Sequence, residues 1–145
     1  MKPEQCKEFL TNSPEETIDL GRKIATLLTP PRMVLLRGEL GAGKTTLVKG
    51  IAEQFGAASQ EDVTSPTFTL IHEYRSRQAS IYHIDLYRID TQRELETLGI
   101  DDLLDSSSVV LIEWGEKFDR FLRERDIEIS FERTSDQQRK ITVRG

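Results

Sequence analysis

Gly38-Glu39-Leu40-Gly41-Ala42-Gly43-Lys44-Thr45 is a complete G-x-x-x-x-G-K-[ST] loop. Each residue type in it has a phosphate-directed role. Gly38, Gly41 and Gly43 permit a backbone curl with positive φ, so successive N–H groups point into one concave nest. The Lys44 ammonium has the reach to meet the β- and γ-phosphates of a nucleotide. The Thr45 hydroxyl is of the type that ligates Mg²⁺. The flanks suit the motif. Met33-Val34-Leu35-Leu36 is a short apolar run that reads as a strand, and Thr46 to Ala52 carries apolar residues at helical spacing. Strand, glycine loop and helix in that order put the positive end of a helix dipole behind the nest. A glycine-rich turn without a ligand is the competing reading, and the flanking strand and helix weigh against it.

The bulk numbers bound the rest. A chain of 145 residues, 37% hydrophobic and 31% charged, has the size and composition of one globular domain, 1–145, with a real core. No apolar run nears the ~18 residues needed to span a membrane. Met1 to Gln5 is polar and lacks a signal core. The lone Cys6 has no partner for an internal disulfide, which suits a reducing cytoplasm, and without a neighbouring catalytic group it reads as inert. The net charge of −5 argues against tight binding to nucleic acid by this chain alone, since such domains carry a basic stripe. Only Arg133, Arg139, Lys140 and Arg144 gather near the end.

Working outward, Phe9-Leu10 closes a first short strand. Ser13-Pro14-Glu15-Glu16 is a helix start, with Ser13 as cap, Pro14 at the first helical position and Glu16 completing a capping box. Ile18, Leu20, Ile24, Leu27 and Leu28 supply one apolar face, and Pro30-Pro31 ends the helix. Gln60 to Thr67 is a polar loop. Phe68 to Tyr74 and Ala79 to Leu86 form a hairpin around Arg75 to Gln78. Thr91 with Glu94 opens another helix, for which Gly99 provides the end. Val109 to Ile112 has the continuous apolar pattern of a strand buried on both faces. Phe118 to Arg125 reads as a short helix. Two alternating runs, 126–131 and 140–143, make a final hairpin around Ser135-Asp136. The fold class is therefore α/β of the P-loop NTPase kind, with a mostly parallel central sheet flanked by helices and antiparallel hairpin additions.

A P-loop enzyme also needs a carboxylate at the end of a buried strand to hold Mg²⁺. Two strands end in acids: Val109 to Glu113, and Ile81 to Asp85. For Glu113 the readings are a metal-directed carboxylate or a solvated strand end. For Asp85 they are a water-orienting or metal-directed group or a hairpin residue bonded to backbone. Ser65-Pro66-Thr67 lies where P-loop switches place a hydroxyl that senses γ-phosphate, and an ordinary Ser-Pro turn is equally consistent with the spacing. Trp114 is either a core aromatic or a site residue. Glu116-Lys117-Phe118-Asp119 lacks the first residue of a guanine-reading tetrapeptide, which favours ATP. His72 and His83 lack the companion ligands of a structural zinc site.

The ordered set Gly38 to Thr46, Ser65-Pro-Thr-Phe-Thr-Leu70, His83-Ile-Asp-Leu-Tyr-Arg88, Leu98-Gly-Ile100 and Ile112-Glu-Trp114 resembles the bacterial TsaE family over nearly the whole chain. That resemblance implies the ATPase of the threonylcarbamoyladenosine machinery, which modifies adenosine 37 of tRNAs reading codons that start with A. It implies ATP and Mg²⁺ as cofactors, with Thr45 and Glu113 as metal ligands. It makes Asp85 the residue that serves hydrolysis, with Lys44 and Thr67 as further catalytic groups. Gly38, Glu39, Leu40, Gly41, Ala42, Gly43, Lys44, Thr45, Thr46, Ser65 and Trp114 would bind nucleotide, and Thr11, Asn12 and Arg139 would lie near the base. It further implies docking on a TsaD–TsaB complex in the cytoplasm and contact with tRNA only through that complex; whether the free chain is a monomer is left open by the sequence. Glu39 stands where many members carry Asp.

Two other functions compete. A small-molecule P-loop kinase would need an acceptor site and a lid segment, neither of which is evident in the sequence. A nucleotide-operated binding module would use the bound state and leave hydrolysis incidental. No arginine carries the signature of a cis finger; Arg75, Arg77 and Arg88 are candidates by proximity only. Hydrolysis without a positioned arginine is typically slower by ~10³ or more, so the domain alone is expected to be a weak ATPase.

Overall fold

Two strands, each with an unbroken run of four apolar residues, form the centre of the molecule. These are β2 (Arg32–Arg37) and β5 (Ser108–Glu113), and every residue of β5 is buried. A strand buried on both faces needs helices above and below it, which requires crossover connections and hence parallel pairing. β2 accordingly pairs in parallel with β5 on one side and with β6 (Ile127–Arg133) on the other. β4 (Ser80–Asp85) adds in parallel to β5. Antiparallel strands finish both edges. β3 (Ile71–Arg75) hairpins onto β4, β7 (Arg139–Arg144) onto β6, and β1 (Cys6–Thr11) pairs with β7. The seven-stranded order is β1-β7-β6-β2-β5-β4-β3. The computed structural model describes residues 5–39 and 41–145.

One face carries α1 (Pro14–Ala25) and α2 (Lys44–Gln54), packed on Val34, Leu36, Val109 and Leu111. The two helices meet at glycines. A Cβ on Gly50 would lie 2.0 Å from the Ile18 carbonyl oxygen, and one on Gly21 2.3 Å from that of Leu47. Neither position has room for any side chain. The opposite face holds three short helices, α3 (Gln92–Glu96), α4 (Ile100–Leu103) and α5 (Asp119–Glu124). Their Leu95, Ile100 and Phe121 pack on Leu35, Ile84, Val110 and Ile112. The turn into β5 is tied by Asp105, whose carboxylate accepts from Ser107 N at 2.9 Å and from the hydroxyls of Ser107 and Ser108. No helix among the described residues is long and apolar enough to cross a membrane.

Local signals in the sequence translate with five departures. Gly99 does not end the Thr91 helix, which stops at Glu96 with Thr97 as its cap; Gly99 is instead the N-cap of α4, with φ 65°. At α1 Ser13 caps as expected, accepting from Glu16 N, but the Glu16 carboxylate accepts from Asn12 N rather than from the cap residue, so the box is displaced by one residue. The complete box forms at Thr91 and Glu94. Leu27 does not join the apolar face. The helix ends at Ala25, before the Pro30-Pro31 pair, and Leu27 is 60% exposed while Leu28 is buried. Phe68 does not start a strand, because residues 67–69 form a turn and the ring is 81% exposed. Phe118 likewise precedes α5 rather than opening it, after a short 3-10 turn at Gly115–Lys117.

Candidate functional site

β2 delivers the chain to the glycine loop, and α2 starts immediately after it. Gly43 is the N-cap residue of α2 with φ 104°, a conformation that strains any residue with a side chain. Having no side chain, it supplies no cap bond, and the first turn of α2 contains no acid. The positive end of the helix therefore has no protein side chain to neutralise it, which is the requirement for an anion site at a helix start. The cleft in front of it has a volume of about 290 Å³. Gly41, Gly43, Lys44, Thr45 and Thr46 line one side, and Ser65, Asp85 and Glu113 line the other.

The two strand-end acids are directly opposite one another, Asp85 against Glu113 in the β4–β5 register. Parallel pairing is what brings both strand ends to the same edge of the sheet as the loop. Glu113 is 5% exposed. Its Oε1 lies 3.4 Å from Lys44 Nζ, and its Oε2 is 2.5 Å from His83 Nε2. Burial by itself pushes the Glu113 carboxyl up, but the His83 hydrogen bond and the neighbouring Lys44 ammonium together hold it below the usual carboxylate range. Lys44 Nζ also donates to the Gly38 carbonyl and sits 5.0 Å from the centroid of the Trp114 ring. Asp85 accepts from Tyr87 N at 2.9 Å and from the Thr67 hydroxyl at 3.3 Å, and the Ser65 and Thr67 hydroxyls are 2.7 Å apart. A chain of polar groups thus links Ser65, Thr67 and Asp85.

Two non-glycine residues near this wall hold left-handed backbone, Leu70 with φ 68° and Trp114 with φ 62°. Leu70 closes the turn after Thr67, donating to the Pro66 carbonyl and accepting from Asp85 N. Trp114 is half-buried and packs against Tyr87 with ring centroids 5.2 Å apart and the ring planes tilted by 58°.

The remaining sequence candidates fall in three groups. Arg139 lines the cleft and donates to the Gly41 carbonyl at 3.3 Å, and also to the carbonyls of Ser135, Asp136 and Gln138. Gly38, Glu39 and Ala42 build the loop without lining the cleft; the Glu39 carbonyl accepts from Ala42 N. Leu40 lies outside the described residues. Thr11 and Asn12 stand one step behind the wall. The buried Thr11 hydroxyl bonds that of Thr17, which does line the cleft, and Asn12 accepts from Gln138 Nε2. Arg75 and Arg88 point elsewhere, to Glu73 and the face of Phe68 respectively.

Sequence reasoning missed Ser13, Pro14, Thr17 and Gln137, which complete the cleft. The only signal for the first two was the helix start, which carries no hint that α1 begins beside the glycine loop. It also set His83 aside as a lone histidine. Its spacing of two from Asp85 on one strand face was the clue that it lies under the same site.

Comparison with known proteins agrees with this architecture. The family model "TsaE: Threonylcarbamoyl adenosine biosynthesis protein TsaE" matches residues 11–141. The tRNA threonylcarbamoyladenosine biosynthesis protein TsaE of Bacillus subtilis is 39% identical over 93% of this chain and 83% of that protein. Its namesake in Haemophilus influenzae is 44% identical over 77% of this chain and 73% of that protein. The crystal structure of YdiB from Bacillus subtilis superposes over 100% of this chain and 88% of that one, with a TM-score of 0.78 and 32% identity. With the family match spanning most of the fold and relatives well above 30% identity covering nearly all of it, the chain belongs to the TsaE family of threonylcarbamoyl adenosine biosynthesis proteins.

Proposed function

We propose that this chain binds ATP with Mg²⁺, hydrolyses it slowly, and by that cycle permits repeated rounds of tRNA N6-threonylcarbamoyladenosine formation at position 37 on a TsaD–TsaB complex in the cytoplasm. One observation carries the nucleotide part: an uncapped helix start, two glycines of the loop before it, a buried lysine and two buried strand-end carboxylates line one cleft. Mg²⁺ keeps waters and takes phosphate oxygens beside one or two protein ligands. Thr45 and Glu113 are the residues to hold it. Bound there, the ion would neutralise charge on the phosphate oxygens.

In this reading Lys44 exchanges its contact with Glu113 for the phosphate chain, which frees Glu113 Oε1 for the metal. Asp85, already an acceptor for two donors, orients the attacking water and takes its proton. Thr67 and Ser65 report the state of the γ-phosphate to the surface turn that ends at Leu70. Arg139 is the one arginine lining the cleft among the described residues, and it is engaged by backbone carbonyls. A lone domain of this kind lacks a disengaged arginine finger, which supports slow hydrolysis and a dependence on partners.

The partner step rests on family membership and on linkage. A ligand biases docking only through its different affinity for two states. The ATP-bound and ADP-bound forms must therefore differ in affinity for TsaD–TsaB. Binding measured with ADP and with a non-hydrolysable ATP analogue is expected to give distinct dissociation constants, and multiple turnover of tRNA modification is expected to require this chain. Equal constants, or repeated turnover without the chain, overturn the proposal.

A further inference from the structure

His83 is wholly buried on β4, on the same sheet face as Asp85 and one step deeper. Its register partner on β5 is Leu111, yet its ring reaches diagonally along the ladder to Glu113. Nε2 lies 2.5 Å from Glu113 Oε2. A deprotonated carboxylate only accepts, so Nε2 is the ring nitrogen that carries the hydrogen. The other nitrogen, Nδ1, is buried and has no hydrogen-bond partner. Its register neighbours on this face are Leu111 of β5 and His72 of β3, and the His72 ring is engaged elsewhere, by the Thr64 carbonyl and the Tyr74 hydroxyl. A buried polar atom left without a partner costs free energy, and an aliphatic residue on this face would avoid that cost. The histidine is thus poorly explained as packing and well explained by its one contact.

That contact has a geometric result. Glu113 is held between two groups, with Oε2 bound from beneath by His83 and Oε1 turned towards Lys44 and the cleft. An unbraced glutamate side chain on a strand end has three rotatable bonds and would present either oxygen. We infer that His83 is a positioning residue, which fixes the Glu113 carboxylate so that Oε1 alone faces the metal and phosphate position. The inference rests on the proposed Mg²⁺–nucleotide reading of the cleft. Outer partners of this type commonly alter metal affinity or activity by 10–100-fold when removed.

The test compares ADP affinity in Mg²⁺ with ADP affinity in EDTA, by calorimetry, for the parent chain, His83→Leu and His83→Gln. The ratio of the two affinities isolates the metal-dependent part of binding, so a general loss of fold or of phosphate contacts cancels. His83→Leu is expected to lower the ratio about tenfold or more while leaving the EDTA affinity within about twofold. His83→Gln, which offers an N–H near the Nε2 position, is expected to recover most of the ratio. A folded His83→Leu with the parent's ratio overturns the inference. So does a His83→Gln that binds ADP in EDTA like the parent yet has lost most of the metal enhancement, and this second arm decides the matter if the leucine variant does not fold. A parent whose ADP affinity ignores Mg²⁺ overturns the metal reading of the cleft, and the inference with it.

Discussion

Lys44 and Glu113 form a buried ion pair across the cleft, Nζ 3.4 Å from Oε1, between the first residue of α2 and the last residue of β5. Both side chains are about 5% exposed. The pair joins the helical wall of the site to the sheet at the place where phosphate is expected, and Lys44 is the only side-chain cation in the loop.

Lys44→Ala should therefore abolish productive Mg-ATP binding. Losing a charge-assisted phosphate contact costs about 2–3 kcal/mol, or about 30- to 150-fold in affinity. Calorimetry checks this, and an unchanged Mg-ATP dissociation constant would refute the assignment of Lys44.

Trp114 is the chain's sole tryptophan, and the Lys44 ammonium sits 5.0 Å from its ring. When Lys44 turns to a phosphate, the charge over the indole moves. Trp114 emission should change on titration with Mg-nucleotide and should saturate with it. A flat titration at saturating nucleotide, with binding verified by calorimetry, counts against a coupled Lys44 and Trp114.

Gly50→Ala should destabilise the fold, although alanine ordinarily stabilises a helix interior over glycine by roughly 0.5–1 kcal/mol. The new methyl group would meet the Ile18 carbonyl at 2.0 Å and force α1 and α2 apart. Overpacking of this kind costs about 1–3 kcal/mol. Urea denaturation with an unchanged m-value and a lower midpoint is the expected result. A midpoint at or above the parent's would mean that the helices separate without cost.

Asp105 provides the pH test. Hydrogen bonds from Ser107 N, the Ser108 hydroxyl and the Ser107 hydroxyl hold its carboxyl below the usual value in the folded chain. A carboxyl depressed on folding contributes stability above its unfolded pKa, and that contribution is lost as pH falls through the folded pKa. Asp105→Asn should therefore lower the melting temperature at pH 7, and the gap to the parent should close below about pH 4. A gap of constant size from pH 7 to pH 3 would show that the charge of Asp105 is not what the turn uses.

The parts of the fold that were legible in the sequence share a physical cause. β5 was readable because burial on both faces demands an unbroken apolar run, and the Thr91 helix because a capping box is local chemistry. Leu27 and Phe68 were misread because an apolar residue beside an apolar periodicity looks like part of it. Only the end of α1 at Ala25 and the turn at residues 67–69 decide otherwise. The glycine loop, Asp85 and Glu113 were visible as motifs and strand ends. The link from Thr11 through Thr17 and the brace from His83 to Glu113 were not, because each depends on which strand or helix lies alongside, and no local pattern encodes that.

The paired glycines of α1 and α2 divide the labour between the two walls of the cleft. Backbone lies against backbone at Gly21 and Gly50, and Leu20 and Ile24 of α1 share one buried cluster with Leu47 and Ile51 of α2, so neither helix can shift without disturbing the other. The loop behind the phosphate position is in effect an anvil. Under the proposed nucleotide cycle, shape change would fall to the facing wall, where Leu70 and Trp114 hold backbone conformations that cost of order 1–3 kcal/mol each. Release of that strain would give the surface around residues 65–70 and 114 a way to differ between the two bound states that the proposed cycle requires, while the anchor stays still.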